Sequence, residues 1–86
     1  SVFRSIPMAY EAGKAGGDAG TVYNAANEEC VSAFLKGQIS FLSIFDSVEE
    51  VLDGWSVRPV SSVEDILYAD AEARRKASEA IRRRCV

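Results

Sequence analysis

The residue types that most often perform chemistry in proteins are scarce in this 86-residue sequence. It contains no histidine, so it lacks the usual acid/base catalyst at neutral pH and the commonest zinc ligand. Its two cysteines, Cys30 and Cys85, are 55 positions apart and do not form a zinc-ligand pattern. Two acidic pairs, at positions 28–29 and 49–50, are adjacent, so on a helix their side chains diverge by about 100°. We therefore expect no catalytic or metal-binding residue here.

Three polar residues, Asn24, Asn27 and Glu28, are the most informative because they interrupt an apolar helical face. Asn27 falls near the middle of that face, Asn24 shares it, and Glu28 flanks it. A buried amide without partners costs roughly 1–3 kcal/mol, so we expect the two asparagines to bond to another segment. Glu28 could approach a metal or an arginine of another domain, but we favour a local ion pair or cap. The simplest role is architectural, with the amides tying down a loop or a neighbouring helix. The apolar face itself consists of Tyr23, Cys30, Val31, Phe34 and Leu35.

These residues must be positioned by helices, because hydrophobic periodicity predicts an all-α, four-helix bundle-like domain with short loops over residues 1–86. The first helix is predicted at residues 5–15, with Ser5 as its N-cap. The second is predicted at residues 19–36, with Asp18 near its start. Together these two helices place the polar motif in the middle of the second helix.

The second half of the chain contains the clearest helix signals. The third helix is predicted to begin at its N-cap Ser40 and to end at Gly54. The last helical region starts with a predicted capping box, in which Ser61 pairs with Glu64. A break in this helix is predicted as possible at residues 68–70, where an aspartate could cap a second part. A stripe of small residues along its later part permits close helix packing.

Two features suggest other kinds of site, and neither is specific. The glycines between positions 13 and 20 fit neither a dinucleotide fingerprint nor a P-loop, and no strand precedes them, so we interpret them as helix punctuation. The larger aromatic residues are scattered over different segments, which favours packing over base stacking. They are Tyr10, Tyr23, Trp55 and Tyr68.

Charge is unevenly distributed. Residues 1–70 carry 11 acidic and 4 basic side chains, whereas residues 71–86 carry 2 acidic and 6 basic ones. A basic last helix suggests an acidic or phosphate-bearing partner. The alternative, which we favour, is a solvated helix end whose cations complement the helix dipole. The sequence contains no run of 18 apolar residues, so no membrane span is predicted. The two cysteines fit a reducing, cytoplasmic compartment.

Several short motifs together resemble one protein family, the C-terminal helical domain of 1-deoxy-D-xylulose 5-phosphate reductoisomerase. The resemblance runs from about Phe3 to the last helix, and its most specific part is the Asn-Ala-Ala-Asn-Glu run that begins at Asn24. Gly20 departs from the family, which often has proline there. The other matching motifs are Ala9-Tyr10-Glu11-Ala12, Gly16-Gly17, and Ala33-Phe34-Leu35-x-Gly37-x-Ile39-x-Phe41-x-x-Ile44.

The resemblance implies a parent enzyme with an NADPH-binding domain, a catalytic metal-binding domain and this helical domain last. Such enzymes convert 1-deoxy-D-xylulose 5-phosphate to 2-C-methyl-D-erythritol 4-phosphate in the non-mevalonate isoprenoid route, with NADPH and a divalent cation (Mg or Mn). The resemblance also implies a homodimeric parent. No position here matches the family's catalytic, nicotinamide or metal motifs, so none is assigned. Asn24, Asn27 and Glu28 are the expected structural contacts to the parent's catalytic and NADPH domains.

The alternative function is a free-standing helical interaction module. In that case the basic last helix would bind an acidic protein or nucleic acid. The isoelectric point of about 4.9 opposes binding to nucleic acid, because the protein as a whole is acidic.

Overall fold

The computed structural model describes residues 5–85 and contains four α-helices. They are α1 (Ser5–Ala15), α2 (Ala19–Leu35), α3 (Phe41–Asp53) and α4 (Val63–Arg84). The predicted all-α, bundle-like fold is confirmed. Two sequence predictions, the capping role of Ser5 and the packing of Tyr10, lie outside the described side chains.

The short connection between α2 and α3 follows the glycine and serine signals of the sequence. Helix α2 ends at Leu35, one residue before the predicted end. Gly37 has φ 75°, a left-handed conformation that favours glycine, and its N–H donates to the carbonyl of Phe34 at 2.9 Å. The hydroxyl of Ser40 accepts from the backbone N–H of Ser43, so its predicted N-cap role is confirmed.

Helix α4 starts one residue later than the predicted capping box. The cap is Ser62, whose hydroxyl accepts from the N–H of Asp65 at 3.3 Å. The Asp65 carboxylate in turn accepts from the N–H and the hydroxyl of Ser61, at 2.9 and 3.0 Å. These hydrogen bonds lower the pKa of Asp65. The predicted pairing of Ser61 with Glu64 is therefore wrong, because two serines before two acidic residues satisfy the same spacing in either register.

The predicted break at residues 68–70 is absent, and α4 continues through this region as one helix of 22 residues. Asp70 does not cap a new helix. Its carboxylate accepts from Nε of Arg74, one turn later on the same helix, at 2.9 Å. An ion pair between residues i and i+4 stabilises a continuous helix, so Asp70 supports α4 here and does not interrupt it.

Helix α2 packs against each of the other three helices. It runs parallel to α4, since Asp18 lies beside Tyr68 at the start of both helices and Glu28 contacts Arg74 further along. Helix α3 runs antiparallel to α2, because Phe41 at its start contacts Phe34 near the end of α2 and Trp55 just after it bonds to Asp18 just before α2. Glu50 of α3 contacts Arg84 in the last turn of α4. The buried core lies between these three helices and consists of Val22, Ala25, Ala26, Cys30, Ala33, Ile39, Ile44, Val48, Val51, Ala69, Ala73, Ala77 and Ile81.

No helix among the described residues is both long enough and apolar enough to span a membrane.

Candidate functional site

The face of α2 that carries the polar motif points away from the core. Asn24 is exposed and Asn27 is half-buried, so the prediction that they interrupt the buried face is wrong. Alanines take that place, because small side chains let α2 and the alanine stripe of α4 approach closely. The buried side of α2 is Ala19, Val22, Ala25, Ala26, Cys30 and Ala33.

We call the opposite side the outer face of α2 and define it as Asn24, Asn27, Glu28, Val31 and Leu35. Spacings of three and four residues place these side chains on one side of the helix. The Asn24 amide donates to the Glu28 carboxylate at 3.4 Å, a contact within the face. Among the described residues neither asparagine is hydrogen-bonded to another segment, so the predicted bonds from these amides to another segment stay a prediction.

Glu28 does contact another helix. Its carboxylate accepts from Nη2 of Arg74 at 2.8 Å, and neighbouring Glu29 accepts from Nη1 at 2.9 Å. Asp70 completes the group on the α4 side. Hydrogen bonds that Arg74 donates to Asp70, Glu28 and Glu29 raise its pKa, so the guanidinium stays charged. Through this arginine the cluster links α2 to α4 beside the outer face of α2.

Large apolar side chains are exposed where α2 ends and α3 begins. We call this surface the α2–α3 corner. Ring centroids of Phe34 and Phe41 are 5.7 Å apart in an edge-to-face arrangement, and those of Phe41 and Phe45 are 5.2 Å apart. Since Phe45 is buried, this row of rings runs from the core to the surface. The exposed members of the corner are Val31, Phe34, Leu35, Phe41 and Leu42.

A second polar arrangement, missed by the sequence analysis, centres on the buried carboxylate of Asp18. One oxygen accepts from Nε1 of Trp55 at 3.0 Å and from the N–H of Arg58 at 3.1 Å. The Arg58 guanidinium lies 4.8 Å from the ring centroid of Tyr68, a cation–π contact. The carboxylate joins the α1–α2 turn to the α3–α4 connection. The sequence showed Asp18 only as a residue near a helix start.

The turn before α2 is a close approach of two chain segments and offers no phosphate cradle. Gly16 and Gly17 have φ values of 73° and 54°. A Cβ on Gly17 would lie 2.4 Å from the carbonyl oxygen of Arg58, so only glycine fits beside that segment. Among the described residues, no three acidic, cysteine or histidine side chains are grouped so that they could hold a metal ion.

The two cysteines lie in different environments. Cys30 is buried in the core and Cys85 is exposed. Burial raises the pKa of the Cys30 thiol to about 11. Cys30 is thus a packed, unreactive thiol at neutral pH.

The basic residues of α4 are mostly engaged within the molecule. Arg84 donates to Glu50 of α3 at 2.9 Å, and Arg83 contacts the same carboxylate. Arg75 pairs with Glu72 and Glu79 on its own helix. The end of α4 is therefore tied to α3, and these pairings disfavour a basic surface that binds an acidic partner or nucleic acid.

Comparisons with known proteins agree with this geometry. The family described as the DXP reductoisomerase C-terminal domain matches residues 1–76. The chain is 53% identical over 73 residues to the 1-deoxy-D-xylulose 5-phosphate reductoisomerase of Geobacillus sp. (strain WCH70), covering 85% of this chain and 19% of that protein. With the Mycobacterium ulcerans enzyme the identity is 46%, covering 93% of this chain and 20% of the relative.

A solved structure supports the same relation. It is the 1-deoxy-D-xylulose 5-phosphate reductoisomerase from Zymomonas mobilis in complex with NADPH. The match has a TM-score of 0.83 and 43% sequence identity, and it covers 87% of this chain and 20% of the Zymomonas chain. The chain therefore spans about one fifth of the length of the relatives it matches.

Proposed function

Because this chain belongs to the family of DXP reductoisomerase C-terminal domains, we propose that it completes an enzyme that rearranges and reduces 1-deoxy-D-xylulose 5-phosphate to 2-C-methyl-D-erythritol 4-phosphate. The observation that carries the proposal is the match at 43% identity to a solved reductoisomerase, with a TM-score of 0.83. This likeness in fold and sequence supports the inference that the chain is the C-terminal domain of a reductoisomerase.

In this proposal the 86 residues form a single helical domain with a scaffolding role. Residues outside this chain bind substrate, NADPH and the divalent cation (Mg or Mn), and they carry out the reaction. Two observations support placing both cofactors outside this chain: the carbonyl of Arg58 lies close against the glycine turn, and no three acidic, cysteine or histidine side chains among the described residues are grouped around a possible cation. The Zymomonas relative is in complex with NADPH, which supports this cofactor for the parent. We further propose a homodimeric, cytoplasmic parent.

The experiment that tests this function begins with the native gene product. An antibody against this domain should detect, in an extract of the source cells, a band several times heavier than 9.3 kDa. The purified product should then oxidise NADPH in the presence of 1-deoxy-D-xylulose 5-phosphate and Mg²⁺ or Mn²⁺, and lose this activity when the metal is chelated. A native band at 9.3 kDa, or no substrate-dependent oxidation of NADPH, would refute the proposal.

We propose that Asn24, Asn27 and Glu28 contribute the polar contacts between this domain and the parent's other domains. Asn24 and Glu28 are exposed and Asn27 is half-buried, so all three side chains are at least partly accessible to another domain, which supports this role. Replacement of Asn27 by leucine in the full-length enzyme should lower its melting temperature, since a partner group would lose its hydrogen bond. A higher melting temperature with unchanged activity would show that Asn27 is not part of a required network.

A further inference from the structure

We propose that the α2–α3 corner is the surface on which the preceding part of the reductoisomerase polypeptide docks. The inference rests on the proposed function and assigns one face of the domain to one occupant. That occupant is a segment of the same polypeptide that offers an apolar, weakly charged surface. The outer face of α2 continues the corner and supplies the polar edge of the interface.

The corner has the exposure and rigidity of a preformed docking surface. Leu35 is 76% exposed and Leu42 is 55% exposed, although both are large apolar residues. The row of rings that ends at buried Phe45 anchors Phe34 and Phe41 to the core, so little conformational entropy is lost when they are covered. Contiguous exposed apolar patches of this kind mark interaction surfaces.

A second exposed apolar surface lies at the start of α4, and its composition differs. The twelve residues 57–68 contain three charged side chains, Arg58, Glu64 and Asp65, whereas the twelve residues 31–42 contain only Lys36. Interface centres are depleted of charge and enriched in aromatic residues, which favours the corner. At the start of α4, moreover, the charged guanidinium of Arg58 already lies 4.8 Å from the ring centroid of Tyr68.

The order of residues along α2 matches the anatomy of an interface. Val31 and Leu35 adjoin the aromatic row, while Asn24, Asn27 and Glu28 lie further along the same side of the helix. An apolar centre with polar groups at its edge is the usual arrangement. The relatives devote about four fifths of their length to other parts, enough chain to cover this surface.

The test introduces one charge into each of the two apolar surfaces of the full-length enzyme. Leu35→Lys places an ammonium group in the corner, and Leu67→Lys, at a leucine that is 64% exposed on α4, is the matched control. Because both side chains project from the isolated domain, neither change should unfold it. Leu35→Lys should raise the rate of proteolytic cleavage between the domains by about tenfold, and Leu67→Lys should change it by less than about twofold. Hydrogen exchange of the amides in residues 31–42 should accelerate in Leu35→Lys alone.

Equal effects of the two substitutions, or a larger effect of Leu67→Lys, would overturn the assignment of the corner. Unchanged cleavage and exchange in Leu35→Lys would overturn it as well. The proposed function fails by a different result, namely that the wild-type enzyme does not oxidise NADPH with 1-deoxy-D-xylulose 5-phosphate. Cleavage and exchange do not depend on turnover, so the two failures are distinguishable.

Discussion

Asp18 joins two distant segments through a single carboxylate oxygen, which accepts from Trp55 and from the backbone of Arg58. Asp18→Ala would leave two partly buried donors without an acceptor, and we expect it to lower the free energy of unfolding by roughly 2–4 kcal/mol. Chemical unfolding followed by the fluorescence of Trp55, the only tryptophan, measures the change. Asp18→Asn retains one acceptor oxygen and should cost less. If the two variants lost equal free energy of unfolding, the negative charge of Asp18, and not its acceptor oxygen, would be the source of the stabilisation.

The two thiols should differ in reactivity. Burial excludes reagents from Cys30 and raises its pKa to about 11, so almost no thiolate exists at pH 8, whereas Cys85 is exposed. We expect a disulfide-exchange reagent to modify one thiol per native chain and two after unfolding in urea. In Cys85→Ser the native chain should not react within the same time. Rapid modification of Cys30 in the native protein would contradict its packing in the core.

At the scale of elements, the spacing of serines and acidic residues did not determine which serine caps α4. Ser62→Ala removes the acceptor for the N–H of Asp65 and should destabilise the domain by about 1 kcal/mol. Ser61→Ala should cost less, because the backbone N–H of Ser61 still donates to the carboxylate. Thermal unfolding of both variants checks this order, and the reverse order would restore the capping register predicted from sequence.

The same cap predicts a dependence on pH. Hydrogen bonds from Ser61 hold the pKa of Asp65 below its ordinary value of 3.8. The stabilisation is therefore present above that pH and is lost as the pH falls through the lower pKa of the folded state. We expect Asp65→Asn to flatten this part of the stability profile, as measured by thermal unfolding between about pH 2 and pH 5. An unchanged profile would exclude Asp65 as its source.

The sequence predicted all four helix starts and the ends of the first three within about one residue, because glycine, serine and hydrophobic period agree there. It did not predict which side of α2 is buried. Periodicity gives weight to large side chains such as Leu35, whereas the close contact of α2 with α4 selects alanines such as Ala25 and Ala26. It also missed Asp18, since a hydrogen bond to Trp55, 37 positions away, leaves no local signal.

At the scale of the whole molecule, α1 lies at the edge of the buried core, and we expect it to unfold locally more easily than the other helices. Among the side chains that the structure describes, the buried core is formed by α2, α3 and α4 and the connection between α2 and α3, and Met8 of α1 packs against its edge. Helix α1 packs against α2 beside an open groove of about 310 Å³, lined in part by Ala12, Ala19 and Leu52. Segments with few buried contacts open locally at a lower free energy than the core. We therefore expect α1 to exchange its amide hydrogens faster than α2.

A pair of substitutions in α1 tests this ranking. Ala12 is buried against the groove, so Ala12→Asp would place a carboxylate without a partner there and release α1. Protection from hydrogen exchange should fall in α1 and persist around Val22 and Val48. Gly13→Ala, at an exposed helical position where an added Cβ meets no atom within 4 Å, should instead increase protection in α1, because alanine stabilises a helix by roughly 0.5–1 kcal/mol relative to glycine. If Ala12→Asp lowered protection equally in all four helices, α1 would belong to the same cooperative unit as the core, since a locally attached helix can detach without exposing Val22.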